Sequence, residues 1–132
     1  PKKFQFFRNK KKDYKKEIRK SILQTILDKS SIILVAEENG LLVGTVSGWA
    51  NEIKNDLYQD KVKFGYLQYL FVSKEWRDKR IASALKEKLF EWFKEKKCDY
   101  IRLEVAATNP AVQKYKTWGF ETDSIKMVRK LK

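Results

Sequence analysis

The sequence contains no histidine and a single cysteine, Cys98, in 132 residues. Without histidine, neither a Ser-His-Asp nor a Cys-His nucleophile system can be assembled. A structural zinc site built from Cys and His is excluded for the same reason. Any general base has to be a carboxylate, a tyrosine, a lysine, an amino terminus or a water. One cysteine allows no internal disulfide, which fits a reducing, cytoplasmic setting. No apolar run approaches the roughly 18 residues of a membrane span, and no secretory signal pattern is present, so no membrane partner is expected. Two phosphate-binding fingerprints are also missing: there is no Gly-x-x-x-x-Gly-Lys-Ser/Thr and no Gly-x-Gly-x-x-Gly. The chain begins with Pro1 rather than Met, and native residues are expected to precede it.

Acidic residues are the minority, 17 Asp and Glu against 30 Lys and Arg, for a net charge of +13. A surface of that sign attracts nucleic acid, acidic proteins or a polyanionic co-substrate, and it repels polyamines. Hydrophobic residues make up 42% of the chain and aromatics 14%, enough for a packed interior. The length suits one domain over residues 1–132.

Phe4-Gln5-Phe6 alternates like part of a strand. Asp13 is placed to cap a helix over about 13–28, in which Tyr14, Ile18, Ile22, Leu23, Ile26 and Leu27 recur at helical spacing. Asn39-Gly40 is a strong hairpin signal, so 31–50 is expected to be a β-hairpin. Residues 51–62, with the carboxylates Glu52, Asp56 and Asp60, read as a loop or short helix. Lys63 to Val72 reads as the central strand. A helix follows from residue 79 or 80 to about 96, with Ile81, Ala84, Leu85, Leu89, Trp92 and Phe93 inward. Tyr100 to Val105 reads as a strand with Ile101, Leu103 and Val105 on one face. Pro110 suits the start of a short helix ending near Trp118, with Gly119 as its C-cap. Phe120 to Leu131 reads as a final strand or hairpin. This order describes an α/β fold with a mixed sheet, antiparallel and parallel.

Two groups of residues carry candidate chemistry. The first is the strand–turn–helix from Leu70 to Leu85. Arg77-Asp78-Lys79-Arg80 forms a charged turn, and Ile81-Ala82-Ser83-Ala84 opens the helix with small residues. A phosphate can approach such a helix start closely, met by free N–H groups and the helix dipole. Arg77 and Arg80 can add charge-assisted bonds. The alternative is an ordinary solvated basic turn. The second group is Glu104, Asn109 and Tyr115. A carboxylate can take a proton from an amine, and a tyrosine hydroxyl can give one to a leaving thiolate. Alternatively, Tyr115 is a packing aromatic and Glu104 pairs with a nearby lysine.

Together these segments resemble the GNAT superfamily of acyl-CoA-dependent N-acetyltransferases. The family's turn, Arg/Gln-x-x-Gly-x-Gly/Ala after a strand ending in Val, is matched by Val72, Arg77 and Ala82. Arg80 replaces the first glycine, and the resemblance therefore requires a helical or turn φ at that position. Leu103-Glu104-Val105, Asn109, Ala111, Tyr115 and Gly119-Phe120 resemble the later signature. Pro110 is inserted there, and the Asn109-to-Tyr115 gap is one residue short. The Glu104-to-Asn109 interval resembles the ribosomal-protein alanine acetyltransferase branch.

The resemblance implies a GNAT-like fold in which the strand at 66–72 splays from its neighbour at 101–105. It implies acetyl-CoA as co-substrate, its pantetheine paired with backbone of Leu70, Phe71 and Val72. Its pyrophosphate would lie on Arg77, Asp78, Lys79, Arg80, Ile81, Ala82 and Ser83, and Asn109 would also bind the cofactor. Tyr115 would be the general acid and Glu104 the base. The acceptor expected is a primary amine on a protein N-terminus or lysine, carried by an acidic or nucleic-acid-associated protein. Two other readings stay open: a basic nucleic-acid-binding module, which has the charge but no reader motif, and a CoA-binding domain without catalysis in a complex.

Overall fold

A computed structural model describes residues 29–54 and 61–132. The expected strand at Phe4–Phe6, the helix at 13–28 and the acids Asp56 and Asp60 lie outside the described residues. The chain divides into two compact units, one ending at Leu103 and one beginning at Glu104.

The first unit is built on a four-stranded sheet of order β1-β2-β3-β4. The strands are β1 (Ser31–Glu38), β2 (Leu41–Lys54), β3 (Lys61–Val72) and β4 (Tyr100–Arg102). Asn39 and Gly40, at φ 51° and 79°, turn β1 into β2. That is the left-handed pair a two-residue hairpin requires, and it agrees with the sequence reading. β1–β2 and β2–β3 are antiparallel, whereas β3–β4 is parallel. The parallel pair is joined through α1 (Ile81–Glu95), as parallel strands need a crossover. Asp99 sets the β4 register: its N–H donates to the Lys63 carbonyl at 2.7 Å, and its carboxylate accepts from the Lys63 N–H at 2.9 Å.

Helix α1 forms because Ile81, Leu85, Leu89 and Phe93 recur every fourth residue with no glycine or proline between them. That stripe packs on the sheet, where Val46, Leu67, Leu85, Leu89 and Phe93 form the buried cluster. Close approach accounts for two strand glycines. A Cβ on Gly65 would lie 2.5 Å from Phe93 Cδ1, and one on Gly48 would lie 2.9 Å from Leu89 Cδ1. At the C-terminus of α1, Lys97 adopts φ 59°. There Lys97 N–H reaches the Lys94 carbonyl and Cys98 N–H the Phe93 carbonyl, both at 3.0 Å. This is a Schellman cap with lysine where glycine is usual.

Several elements depart from the sequence reading. Ala84 is exposed, one position off the stripe. The expected loop at 51–62 is instead mostly strand at its ends: β2 runs on to Lys54 and β3 begins at Lys61. The strand expected at 100–105 stops at Arg102. Its register with β3 covers only Phe64↔Tyr100, Gly65↔Ile101 and Tyr66↔Arg102.

β3 also carries an extra residue. Ser47 pairs with Tyr69 and Gly48 with Leu67, leaving Gln68 bulged. A bulge shifts the alternation of faces by one. Gly65 and Leu67 face α1 before it, and Leu70 packs against the same core after it. Tyr69 and Phe71 are thereby turned to the opposite face, 59% and 55% exposed. Ser47 lies on that face too, buried, with no hydrogen-bond partner for its hydroxyl among the described residues.

The second unit contains α2 (Ala111–Thr117). Asn109 starts it, its Oδ1 accepting from Ala111 N–H at 2.9 Å. Gly119, at φ 92°, ends it as expected. Gly119 N–H reaches the Lys116 carbonyl and Phe120 N–H the Tyr115 carbonyl, both at 3.0 Å. The strand or hairpin expected at 120–131 is absent: these residues have no regular secondary structure. Ile125, Met127 and Leu131 are exposed there.

Candidate active site

In the first unit the candidate residues are brought together by one continuous strand–turn–helix. β3 ends at Val72, a 3₁₀ turn occupies Lys74–Trp76, and α1 starts at Ile81. Because β4 pairing ends at Tyr66↔Arg102, β3 has no ladder partner on that side from Leu67 to Val72 among the described residues. Such an edge exposes a row of N–H and C=O groups to which an extended amide-bearing ligand can add as a strand.

Arg77 is exposed, and one edge of its guanidinium folds back on the strand. Its Nε donates to the Val72 carbonyl at 3.2 Å, tying the turn back to the strand end. Lys79 Nζ lies 4.8 Å from the Trp76 ring centroid, a cation–π contact. Asp78 and Arg80 both adopt φ 62°. The requirement of a helical or turn φ at residue 80 is therefore not met: Arg80 takes the left-handed conformation that glycine adopts at no steric cost. It sits at the N-cap of α1 without a side-chain capping bond, and no acidic residue lies in the first turn. The first helical bond is Ala84 N–H to the Arg80 carbonyl at 3.1 Å. The N–H groups of Ile81, Ala82 and Ser83 precede it and point out of the helix end, as the first N–H groups of any helix do. An uncapped, basic helix start with small side chains can hold an anion.

In the second unit, Glu104, Asn109 and Tyr115 take separate local roles. Glu104 is exposed and accepts from Lys126 Nζ at 3.1 Å. The sequence reading anticipated a lysine partner without identifying it. Lys126 lies 22 residues on, and no local pattern marks it. The Asn109 side chain is committed to the start of α2. Tyr115 packs edge-on against Trp118 and Phe120, with ring centroids at 5.7 and 6.1 Å. The Phe120 contact is the apolar pair that accompanies a Schellman cap. Burial pushes the Tyr115 hydroxyl above the usual tyrosine range, so it keeps its proton at neutral pH.

Residues 3–120 match the model of the acetyltransferase (GNAT) family. The chain belongs to that family. It is accordingly an acyl-CoA-dependent N-acetyltransferase, with acetyl-CoA as co-substrate and an amine as acceptor. Among curated proteins none matches it. Solved structures share the fold. A tetramutant of the BH1408 protein from Bacillus halodurans is 19% identical, over 85% of this chain and 73% of that one, with a TM-score of 0.79. The aminoglycoside N-acetyltransferase AAC(6')-Iy in complex with CoA is 19% identical, over 89% and 90%, at 0.70. Glucosamine-6-phosphate N-acetyltransferase from Arabidopsis thaliana is 19% identical, over 89% and 78%, at 0.69. Among the described residues no helix is long and apolar enough to cross a membrane, and no group of three or more His, Cys, Asp or Glu side chains is placed to hold a metal.

Proposed function

We propose that this acetyltransferase acts on a primary amine of a protein, an N-terminus or a lysine, by direct attack on the thioester. The observation that carries the donor half is the β3 edge from Leu67 to Val72, without a ladder partner on the β4 side among the described residues, running into an uncapped α1 start. In this reading the pantetheine arm adds to the edge at Leu70, Phe71 and Val72. The pyrophosphate meets the N–H groups of Ile81, Ala82 and Ser83, with Arg77, Asp78, Lys79 and Arg80 forming the turn around it. Asn109 supports this arrangement indirectly, by starting α2, the helix that carries Tyr115.

The acceptor ammonium first loses a proton, because only the neutral nitrogen is nucleophilic. Its lone pair then forms the C–N bond while the C–S bond breaks. The second nitrogen proton passes to Glu104, directly or through water, which requires the Lys126 ion pair to open. The departing sulfur takes a proton from Tyr115, which regains one from solvent. One proton per turnover is released overall. The net charge of +13 favours an acidic or nucleic-acid-associated protein over a polyamine as the acceptor's carrier.

The substitution Ala82→Glu tests the donor site. It places a carboxylate where the pyrophosphate belongs, yet a negative side chain in the first turn favours the helix by about 0.3–1 kcal/mol. Titration calorimetry should show acetyl-CoA affinity falling at least tenfold with the melting temperature unchanged or raised. Unchanged affinity would remove the pyrophosphate from this turn.

A further inference from the structure

The β3 edge from Leu67 to Val72 has a definite end, and Arg77 makes it. Ser73 N–H donates to the Val43 carbonyl, just before the β2 residue that pairs with Val72, at 2.8 Å. The N–H and C=O of one peptide unit point in opposite directions, so the Val72 carbonyl is turned away from β2, to the β4 side. Along a strand the backbone groups of successive residues face alternate neighbours. The N–H and C=O of Val72 and of Leu70 are therefore presented on the β4 side, whereas those of Phe71, opposite Thr45, are turned to β2. No β4 residue pairs with this stretch among the described residues. One of the presented groups is already engaged: the Val72 carbonyl accepts from Arg77 Nε at 3.2 Å. An amide-bearing arm laid along this edge is left with Leu70 N–H, Leu70 C=O and Val72 N–H.

Which atom makes the bond matters. Nε is the innermost nitrogen of the guanidinium, and its partner is a neutral carbonyl, not an anion. A neutral N–H at the same point along the side chain can make the same bond. The bond also gives the edge a fixed terminus. An edge without one lets an added strand settle in more than one register, and each step along it moves the ligand by about 3.3 Å. Ordering such an edge and its ligand at the moment of binding weakens affinity; an edge ordered beforehand does not carry that cost.

Resting on the acetyl-transfer reading above, we propose that Arg77 is a positioning residue for the donor. Its Nε occupies the last outward carbonyl of β3 and so fixes where the pantetheine arm leaves the strand for α1. Arg77 acts through Val72 as a hydrogen-bond donor, and its positive charge is dispensable.

The test separates the donor from the charge at residue 77 of the full chain. Arg77→Gln puts a neutral amide nitrogen the same number of bonds from the backbone as Nε. Arg77→Met keeps an unbranched stem with neither donor nor charge. Melting temperatures check that both variants are folded. Calorimetric acetyl-CoA affinity of Arg77→Gln should lie within threefold of the parent, and that of Arg77→Met at least fivefold below it. The Arg77→Met loss should be equal at low and high salt, because a lost charge contact would be screened. In amide NMR spectra of the parent and of Arg77→Gln, acetyl-CoA should shift the Leu70 and Val72 N–H signals more than that of Phe71. Arg77→Gln as weak as Arg77→Met, or a loss that shrinks with salt, would put the guanidinium on the pyrophosphate and overturn the proposal. Parent-like affinity in Arg77→Met, or a Phe71 shift larger than those of Leu70 and Val72, overturns it too. If Arg77→Met does not fold, the affinity of Arg77→Gln and its amide shifts decide alone. Absence of acetyl-CoA binding by the parent overturns the acetyl-transfer reading itself, and this proposal with it.

Discussion

Replacing Arg80 with glycine should stabilise the protein, although glycine in a helix interior does the reverse. Arg80 sits at φ 62°, ψ 16°. That conformation costs a residue bearing a Cβ about 1–2 kcal/mol. Glycine removes the penalty but loosens the unfolded chain, which costs about 0.4–1 kcal/mol. The Arg80 side chain makes no capping bond to offset its removal, so the midpoints of those ranges leave a net gain on the order of 0.8 kcal/mol. For a chain of this size that raises the melting temperature by roughly 2–4 °C. Arg80→Ala is the control: it keeps the backbone penalty, discards the guanidinium, and should leave the melting temperature within about 1 °C. Thermal unfolding followed by circular dichroism reads both. A gain from Arg80→Ala equal to that from Arg80→Gly would mean that charge repulsion around Arg77 and Lys79, not backbone geometry, is what the native turn tolerates. A loss from Arg80→Gly would mean that the side chain makes a stabilising contact. Acetyl-CoA affinity of both variants should stay within about threefold of the parent if backbone N–H groups carry the phosphate contact.

The remaining predictions concern packing and the proposed general acid. Gly65→Ala places a methyl 2.5 Å from the ring of Phe93, which is buried and cannot swing aside; a loss of about 1–3 kcal/mol is expected, and an unchanged denaturation midpoint would contradict the packing described. Tyr115→Phe should lower kcat about a hundredfold or more while leaving acetyl-CoA affinity intact; full turnover would remove Tyr115 as the acid. Burial raises the folded Tyr115 pKa above its unfolded value, so its contribution to stability is fully present below about pH 10 and is lost as pH climbs through the folded value. The parent should therefore lose more stability than Tyr115→Phe between pH 9.5 and 11, and parallel losses would refute that assignment.

Much of the architecture was legible from local signals. Asn39-Gly40 marked the hairpin, the four-residue stripe from Ile81 to Phe93 marked α1, and Gly119 marked the end of α2, because each reports geometry settled within a few residues. The resemblance carried by Arg77, Ala82, Tyr115 and Gly119-Phe120 led to the family that the match over residues 3–120 establishes. The errors fell where distant contacts decide. Residues 120–131 read as a strand or hairpin but form neither, and their apolar side chains Ile125, Met127 and Leu131 stay exposed, because a strand persists only where its side chains pack against neighbours. Ala84 was placed inward although the packed stripe excludes it.

By itself, the sequence determined the class of chemistry available. It excluded histidine-based catalysis, supplied a basic turn before a helix of small residues, and put a tyrosine at the C-terminal end of a short helix. The tertiary structure alone decided how those parts are presented. The Gln68 bulge appears only in the β2–β3 register, since an extra residue in one strand is invisible until its partner is known. The early end of β4 leaves Leu67 to Val72 of β3 without a ladder partner on that side among the described residues. The Lys126 partner of Glu104 comes from 22 residues away. The left-handed backbone at Arg80 keeps the turn's glycine geometry without the glycine, held by the surrounding strand and helix rather than by any preference of arginine.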